Sequence, residues 1–315
     1  MPTIDAVSRR RFLLGGAASL SLAPLAASAQ SASEDPGIAT AQDLENRLTV
    51  EVRLGGKGPF RFVVDTGADR TVIADDVAGE LGLARGNTVS VLGIARTIDA
   101  QTARLDDLEF GRENIGRLDA PVLPRRWLGA DGYLGLDAID GRRVAFDFRH
   151  HALAITEPRS VQLLNMIKPD ETVVPAGGKS GRLRSINCHV DGVRAYAFID
   201  SGAGVSVGNS ALLNELLRRS PAYATAQTAQ LTGVTGGSVT GRVTSVDRVR
   251  LGGLDFSDAG LVICDLQIFE LWGLASRPAL FIGMDLLRQF SQVTVDYGRK
   301  EYRFEFASLA VASLT

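Results

Sequence analysis

The sequence predicts an all-β fold, mainly strands with a few short helices, arranged as two lobes related by a pseudo-twofold axis with one site between them. Three observations carry this expectation. Short runs of alternating or β-branched residues, bounded by Gly, Asp and Asn, recur along the chain. With 315 residues, 45% hydrophobic and 22% charged, the chain is globular in composition and large enough to divide into two lobes. A series of motifs in the first half returns in the same order in the second.

The N-terminus differs from the rest. Ser8-Arg9-Arg10-Arg11-Phe12-Leu13-Leu14 places positive charge directly before an uncharged, weakly apolar run over residues 13–29, ending in Ala27-Ser28-Ala29. Paired arginines before a moderately hydrophobic run are similar to a twin-arginine export signal, with a cut expected after Ala29. A retained membrane anchor is the alternative, because the run approaches the minimum of about 17 residues that spans a bilayer. Gly15, Gly16, Pro24 and several serines dilute its hydrophobicity. Cutting removes three arginines and Asp5, which takes the chain from −2 to −4. The expected product is a mildly acidic periplasmic protein with no stable membrane insertion.

Strands are expected at residues 48–54, 60–64, 144–148, 293–297 and 302–306. Helical patterns are few: residues 75–83, 211–219, and short stretches after Leu136 and after Met284. Residues 157–182 are rich in Pro, Gly, Lys and Ser without a sustained period and read as the connection between lobes. The expected division is an export signal over 1–29, a first lobe over 37–160, a connection over 161–182 and a second lobe over 183–307.

The repeat is specific. Phe62-Val63-Val64-Asp65-Thr66-Gly67-Ala68 is matched 135 residues later by Ala197-Phe198-Ile199-Asp200-Ser201-Gly202-Ala203. Leu92-Gly93-Ile94 corresponds to Thr232-Gly233-Val234, the weakest of the matches, each at an expected hairpin tip. Leu105-Asp106-Asp107-Leu108-Glu109-Phe110 pairs with Leu251-Gly252-Gly253-Leu254-Asp255-Phe256. Tyr133-Leu134-Gly135-Leu136-Asp137 aligns with Phe281-Ile282-Gly283-Met284-Asp285, and Val144-Ala145-Phe146-Asp147-Phe148 with Val293-Thr294-Val295-Asp296-Tyr297. Matches in one order over most of each half mark an internal duplication.

Each Asp-Thr/Ser-Gly-Ala string follows an apolar strand, so each aspartate stands where a strand gives way to a loop, and pseudo-twofold packing brings the loops face to face. On these residues the chain resembles the aspartic proteases, retropepsin-like and pepsin-like, over roughly residues 45–155 and 183–306. The resemblance implies two acid-protease lobes in one chain, here a bacterial exported form, with the active site between them. It implies Asp65 and Asp200 as the catalytic pair, with Thr66, Gly67 and Ala68, and Ser201, Gly202 and Ala203, as the supporting loops. Two close carboxylates cannot both ionise cheaply, so they share a proton and titrate as a pair. The ionised member can take a proton from a water that attacks the scissile carbonyl, while the protonated one polarises that carbonyl. Ala68 and Ala203 stand where pepsin-like relatives often carry a hydroxyl, which implies raised carboxyl pKa values and an optimum at about pH 4–6.5.

Gly135 and Gly283 read as packing positions under the loops. Asp137 and Asp285 each open a short helical stretch and read as helix caps. The hairpins around Gly93 and Gly233 are candidate flaps, and Trp127 and Trp272, in corresponding loops, are placed to line the cleft or each lobe's core.

The expected function is an aspartic endopeptidase acting on protein or peptide segments, with no cofactor and no metal; a monomer suffices because both lobes lie in one chain. The alternative is a catalytically silent, periplasmic peptide-binding protein of the same two-lobed fold. Basic residues beyond the N-terminus are interleaved with acidic ones, so nucleic acid is not an expected partner. His150, His151 and His189 offer no metal-ligand spacing, and adjacent Cys188 and His189 would face opposite sides of a strand. Cys188 and Cys264 are compatible with a disulfide or with two buried thiols.

Overall fold

A computed structural model describes residues 38–42, 47–157, 170–178 and 182–306. The expected export signal, residues 1–29, and much of the expected connection, residues 158–169 and 179–181, lie outside the described residues. The fold is mainly β, with short helices of which Ser210–Arg219 is the longest among the described residues.

Alternation in sequence becomes alternation in burial. In Leu48–Leu54, Leu48, Val50, Val52 and Leu54 face the core while Glu51 and Arg53 face solvent. This strand turns through Gly55 and Gly56, both at positive φ, into the antiparallel strand Lys57–Val64. Gly132–Leu134 runs parallel to Lys57–Val64, with Leu134 beside Val64. The second half repeats the arrangement. Ser185–Val190 pairs antiparallel with Val193–Ile199, and Ala279–Ile282 runs parallel to it with Ile282 beside Ile199. Each aspartate therefore emerges from a buried central strand clamped between two neighbours.

The second-half strands form a seven-stranded sheet that returns on itself, because Ser185–Val190 also pairs with the long strand Ser238–Leu251. The first-half sheet continues through Ile38–Gln42, Ala152–Thr156, Arg143–Asp147, Gln292–Asp296, Glu301–Glu305 and Glu171–Pro175. Those six strands join the halves at their base. Arg143–Asp147 and Gln292–Asp296, which align in the sequence repeat, pair antiparallel with each other, Val144 opposite Val295. All of this lies within one unit, Pro36–Thr315.

Four elements depart from the sequence reading. Glu171–Pro175, within the stretch that reads as connection, is a strand paired along Glu301–Glu305. Arg125–Leu128 and Gln267–Leu271 are helices of four and five residues, too short to show a period. The long helix starts one residue earlier than its pattern, at Ser210, because the Asn209 side chain accepts the Leu212 N–H as an N-cap.

Both cysteines are free thiols. Cys188 sits across from Leu251 and Cys264 follows Ile263, which sits across from Arg242. These partners lie at opposite ends of one strand segment, roughly 30 Å apart at about 3.3 Å per residue, far beyond disulfide reach. No helix among the described residues is long and apolar enough to cross a membrane.

Candidate active site

The strand Lys57–Val64 delivers Asp65, whose N–H donates to Leu134 O at 3.0 Å, and Val193–Ile199 delivers Asp200, whose N–H donates to Ile282 O at 3.0 Å. Each chain then turns sharply so that its own N–H groups point back at the carboxylate. Gly67 N and Ala68 N donate to Asp65 Oδ1 at 2.9 and 3.1 Å. Gly202 N and Ala203 N donate to Asp200 Oδ1 at 3.0 and 3.2 Å. The two carboxyls, partly open to the cleft, lie within hydrogen-bonding reach of each other.

The hydroxyls lock the loops together. Thr66 Oγ1 donates to Ile199 O at 2.9 Å and accepts from Ser201 N at 3.0 Å. Reciprocally, Ser201 Oγ donates to Val64 O at 2.7 Å and accepts from Thr66 N at 3.1 Å. Every bond crosses from one half to the other and is buried. Thr66→Val leaves Ser201 N–H and Ile199 C=O without these partners, so it is expected to cost about 2–4 kcal/mol in urea unfolding. An unchanged midpoint would show the lock to be dispensable.

Gly67 and Gly202 are required by close approach. A methyl on Gly67 would lie 2.8 Å from Cγ of Asp200, and one on Gly202 would come closer still to Cγ of Asp65. Gly135 and Gly283 lie directly against backbone, at 2.6 Å from Arg70 O and Val205 O for an added methyl. Asp137 and Asp285 depart from the capping role that sequence suggests: the N-cap positions are Gly135 and Gly283. Asp137 Oδ1 accepts from Thr71 N and Thr71 Oγ1, both at 2.7 Å, while Thr71 Oγ1 accepts from Gly135 N. Asp285, Ser206 and Gly283 repeat the same relay. These aspartates brace the outgoing ends of the two loops.

Burial of the carboxyls dominates their electrostatics. It raises Asp65 above the ordinary carboxylate range, opposed by the Gly67 and Ala68 N–H groups and by the charge of Arg47. Burial raises Asp200 to about 8, with the neighbouring charge of Asp65 adding to it. Arg47 continues the register that sets Thr49 beside Val63, which puts it across from Asp65. It is buried, lies over the Tyr133 ring and donates to the Tyr133 hydroxyl.

Arg182, 135 residues later, has a different fate. Its Nε donates to Asp69 Oδ1 at 2.9 Å and its Nη2 bonds the other oxygen, tying the start of the second half to the first loop. Sequence reasoning missed Arg47, Arg182, Thr71 and Ser206. The signal was present: Arg-Leu at 47 and 182, and a hydroxyl at 71 and 206, share the 135-residue spacing of the aspartates.

The hairpins holding Gly93 and Gly233 meet at their tips. Gly93 abuts the Thr235 side chain, Thr235 Oγ1 donates to Arg96 O at 3.0 Å and Arg96 Nε donates to Thr235 O at 3.0 Å. Gly236 and Gly237 adopt positive φ, and Gly236 lies so close to Trp127 that a methyl would meet its ring at 2.5 Å. Ile94 reaches across to pack on the second-half apolar cluster of Phe198, Phe269 and Phe281. Trp272 belongs to that cluster's margin, 4.7 Å from Phe198 between ring centroids, whereas Trp127 stands half-buried at the opposing tip.

Two duplicated β lobes, each sending one aspartate into a common loop-to-loop junction, define the class of aspartic-dyad proteins. The family model for aspartyl proteases matches residues 50–138 and 186–286, together more than half of the sequence, and the chain belongs to that family. No curated protein matches the chain. The two matched stretches fall one in each half of the repeat, and the family supports a protease-like function with peptide substrates.

Proposed function

We propose that the chain is an aspartic endopeptidase that hydrolyses peptide bonds in periplasmic or exported proteins, with Asp65 and Asp200 as its catalytic pair. The carrying observation is the apposition of the two carboxyls, each fixed by two backbone N–H bonds and within hydrogen-bonding reach of the other. A water between them has both an acceptor and a donor. Arg47 favours charge on Asp65 and the pair interaction favours the proton on Asp200, so Asp65 acts as base and Asp200 as acid. Asp65 takes the proton of the water as its oxygen attacks the carbonyl carbon, and Asp200 gives its proton to the carbonyl oxygen. Collapse of the tetrahedral intermediate then breaks the C–N bond, with the leaving nitrogen protonated from the pair.

The remaining parts of the reading rest on the sequence. Residues 37–160 and 183–307 serve as the two lobes, the hairpins at Gly93 and Gly233 as paired flaps that exclude water, and residues 1–29 as a twin-arginine export signal. One chain supplies a complete site, so a monomer is active. Purified mature protein, incubated with a mixed peptide library, is expected to cleave internal bonds. Peptide binding without cleavage would favour the silent binding protein.

The singly protonated pair is the working form, so activity depends on pH in a definite sense. Both carboxyls are raised above 3.8, and Asp200 reaches about 8. The profile of kcat/KM is expected to be bell-shaped, rising above pH 3.8 and falling near about pH 8. A raised acid favours folding while it is protonated, so the Asp200 contribution is complete at low pH and is lost as pH rises through about 8. Peak activity near pH 2 would overturn the assignment.

A further inference from the structure

The two halves of the cleft differ in chemistry where they ought to be alike. In the second half, Trp272 packs against Phe198 and Phe281, and Leu231, Val239 and Ile268 complete an apolar wall. Val63 and Tyr133 occupy the corresponding positions of the first half, and Tyr133 is engaged by Arg47. Trp127 carries two guanidinium groups over its ring, those of Arg96 and Arg126 at 5.2 and 5.3 Å from the centroid, whereas Trp272 carries one, that of Arg182 at 5.7 Å, which is already paired with Asp69. Beside Trp127, between the first hairpin and the helix Arg125–Leu128, opens a cavity of about 530 Å³ whose wall includes Arg85, Arg96, Asp99 and Gln101.

We propose that this cavity is a subsite for an acidic side chain of the substrate, Asp or Glu, so that the enzyme selects peptides with a carboxylate on the first-half side and an apolar residue on the second-half side. The inference rests on the protease reading of the cleft. Among the described residues, neither Arg85 nor Arg96 forms an ion pair. Asp99, the only carboxylate of the wall among the described residues, accepts a hydrogen bond from Ser90 Oγ at 2.6 Å. Arg96 is held across the cleft by its Nε bond to Thr235 O, which leaves its two terminal nitrogens for a ligand. A guanidinium fixed in that way meets a carboxylate with two parallel N–H bonds and no further ordering. The volume suits a side chain with ordered water.

The test uses peptides amidated at their C-termini, so that side chains supply the only carboxylates, in pairs differing by Glu against Gln at one position. Wild-type enzyme is expected to cleave the Glu member at least tenfold faster in kcat/KM at one position fixed relative to the cut. Arg85→Gln and Arg96→Gln should bring that ratio toward one, and Arg85→Glu should turn the preference toward Lys, which a misfolded variant cannot imitate. Arg149→Gln, at the exposed turn after Arg143–Asp147, should keep the ratio. Binding of the same peptides to the Asp65→Asn variant separates the two claims. Cleavage by wild type with no acidic preference, or a preference that survives both Gln substitutions, overturns the subsite alone. Absence of cleavage with tighter binding of Glu peptides overturns the protease reading and keeps the subsite. Absence of both overturns both.

Discussion

Asp65→Asn and Asp200→Asn are each expected to lower kcat by about 10³-fold or more, with peptide affinity largely retained. The size of the effect follows from how the carboxyls work as a unit. Asp65 and Asp200 share a proton because burial raises both and the charge on one raises the other. Asparagine keeps the shape and the hydrogen bonds that Gly67 and Ala68, or Gly202 and Ala203, make to the side-chain oxygen. It cannot take the proton from water or return it. The double variant should therefore be no slower than the worse single one, since groups that act together do not lose activity additively. Each single variant should also flatten the fall of stability with rising pH, because one buried titrating carboxyl is gone. Product formation by either variant at near wild-type rate, measured by mass spectrometry of a cleaved peptide, would sink the assignment.

How much of this was legible in the sequence depended on distance along the chain. The strands around the aspartates declared themselves through period-two burial, as in Leu48–Leu54, and through repetition at a constant spacing of 135 residues. The mutual lock of Thr66 and Ser201 joins two positions that the duplication makes equivalent. What escaped was decided by partners remote in sequence. Glu171–Pro175 is a strand because Glu301–Glu305 offers it an edge, and nothing within the segment announces that partner. Asp137 looked like a cap because it opens a helix, but Thr71, on the outgoing side of the loop, offers both a hydroxyl and an N–H. Arg47 and Arg182 are the same residue in the repeat, yet one is buried beside Asp65 and the other bonds Asp69 across the halves. Duplication fixed where they begin. Their different ends were set by neighbours that the duplication did not conserve.

Gly202→Ala is expected to reduce kcat by at least about 10²-fold in a protein that still folds, and to do more damage than Gly67→Ala. The added methyl lands against Cγ of Asp65, nearer than the 2.8 Å at which a methyl on Gly67 would meet Cγ of Asp200. Neither carboxyl can simply yield, because each is held by two N–H bonds from its own loop, and the loops are bound to one another through Thr66 and Ser201. The strain is relieved by separating the carboxyls, at a stability cost of about 1–3 kcal/mol. Separation weakens the mutual repulsion that raises Asp200, so the alkaline limb of the pH profile should move below about pH 8. That displacement distinguishes a splayed dyad from general loss of folded enzyme, which would lower activity at every pH and leave the limb in place. A Gly202→Ala variant with full kcat and an unmoved alkaline limb would show that the carboxyls are not packed against the opposite glycine.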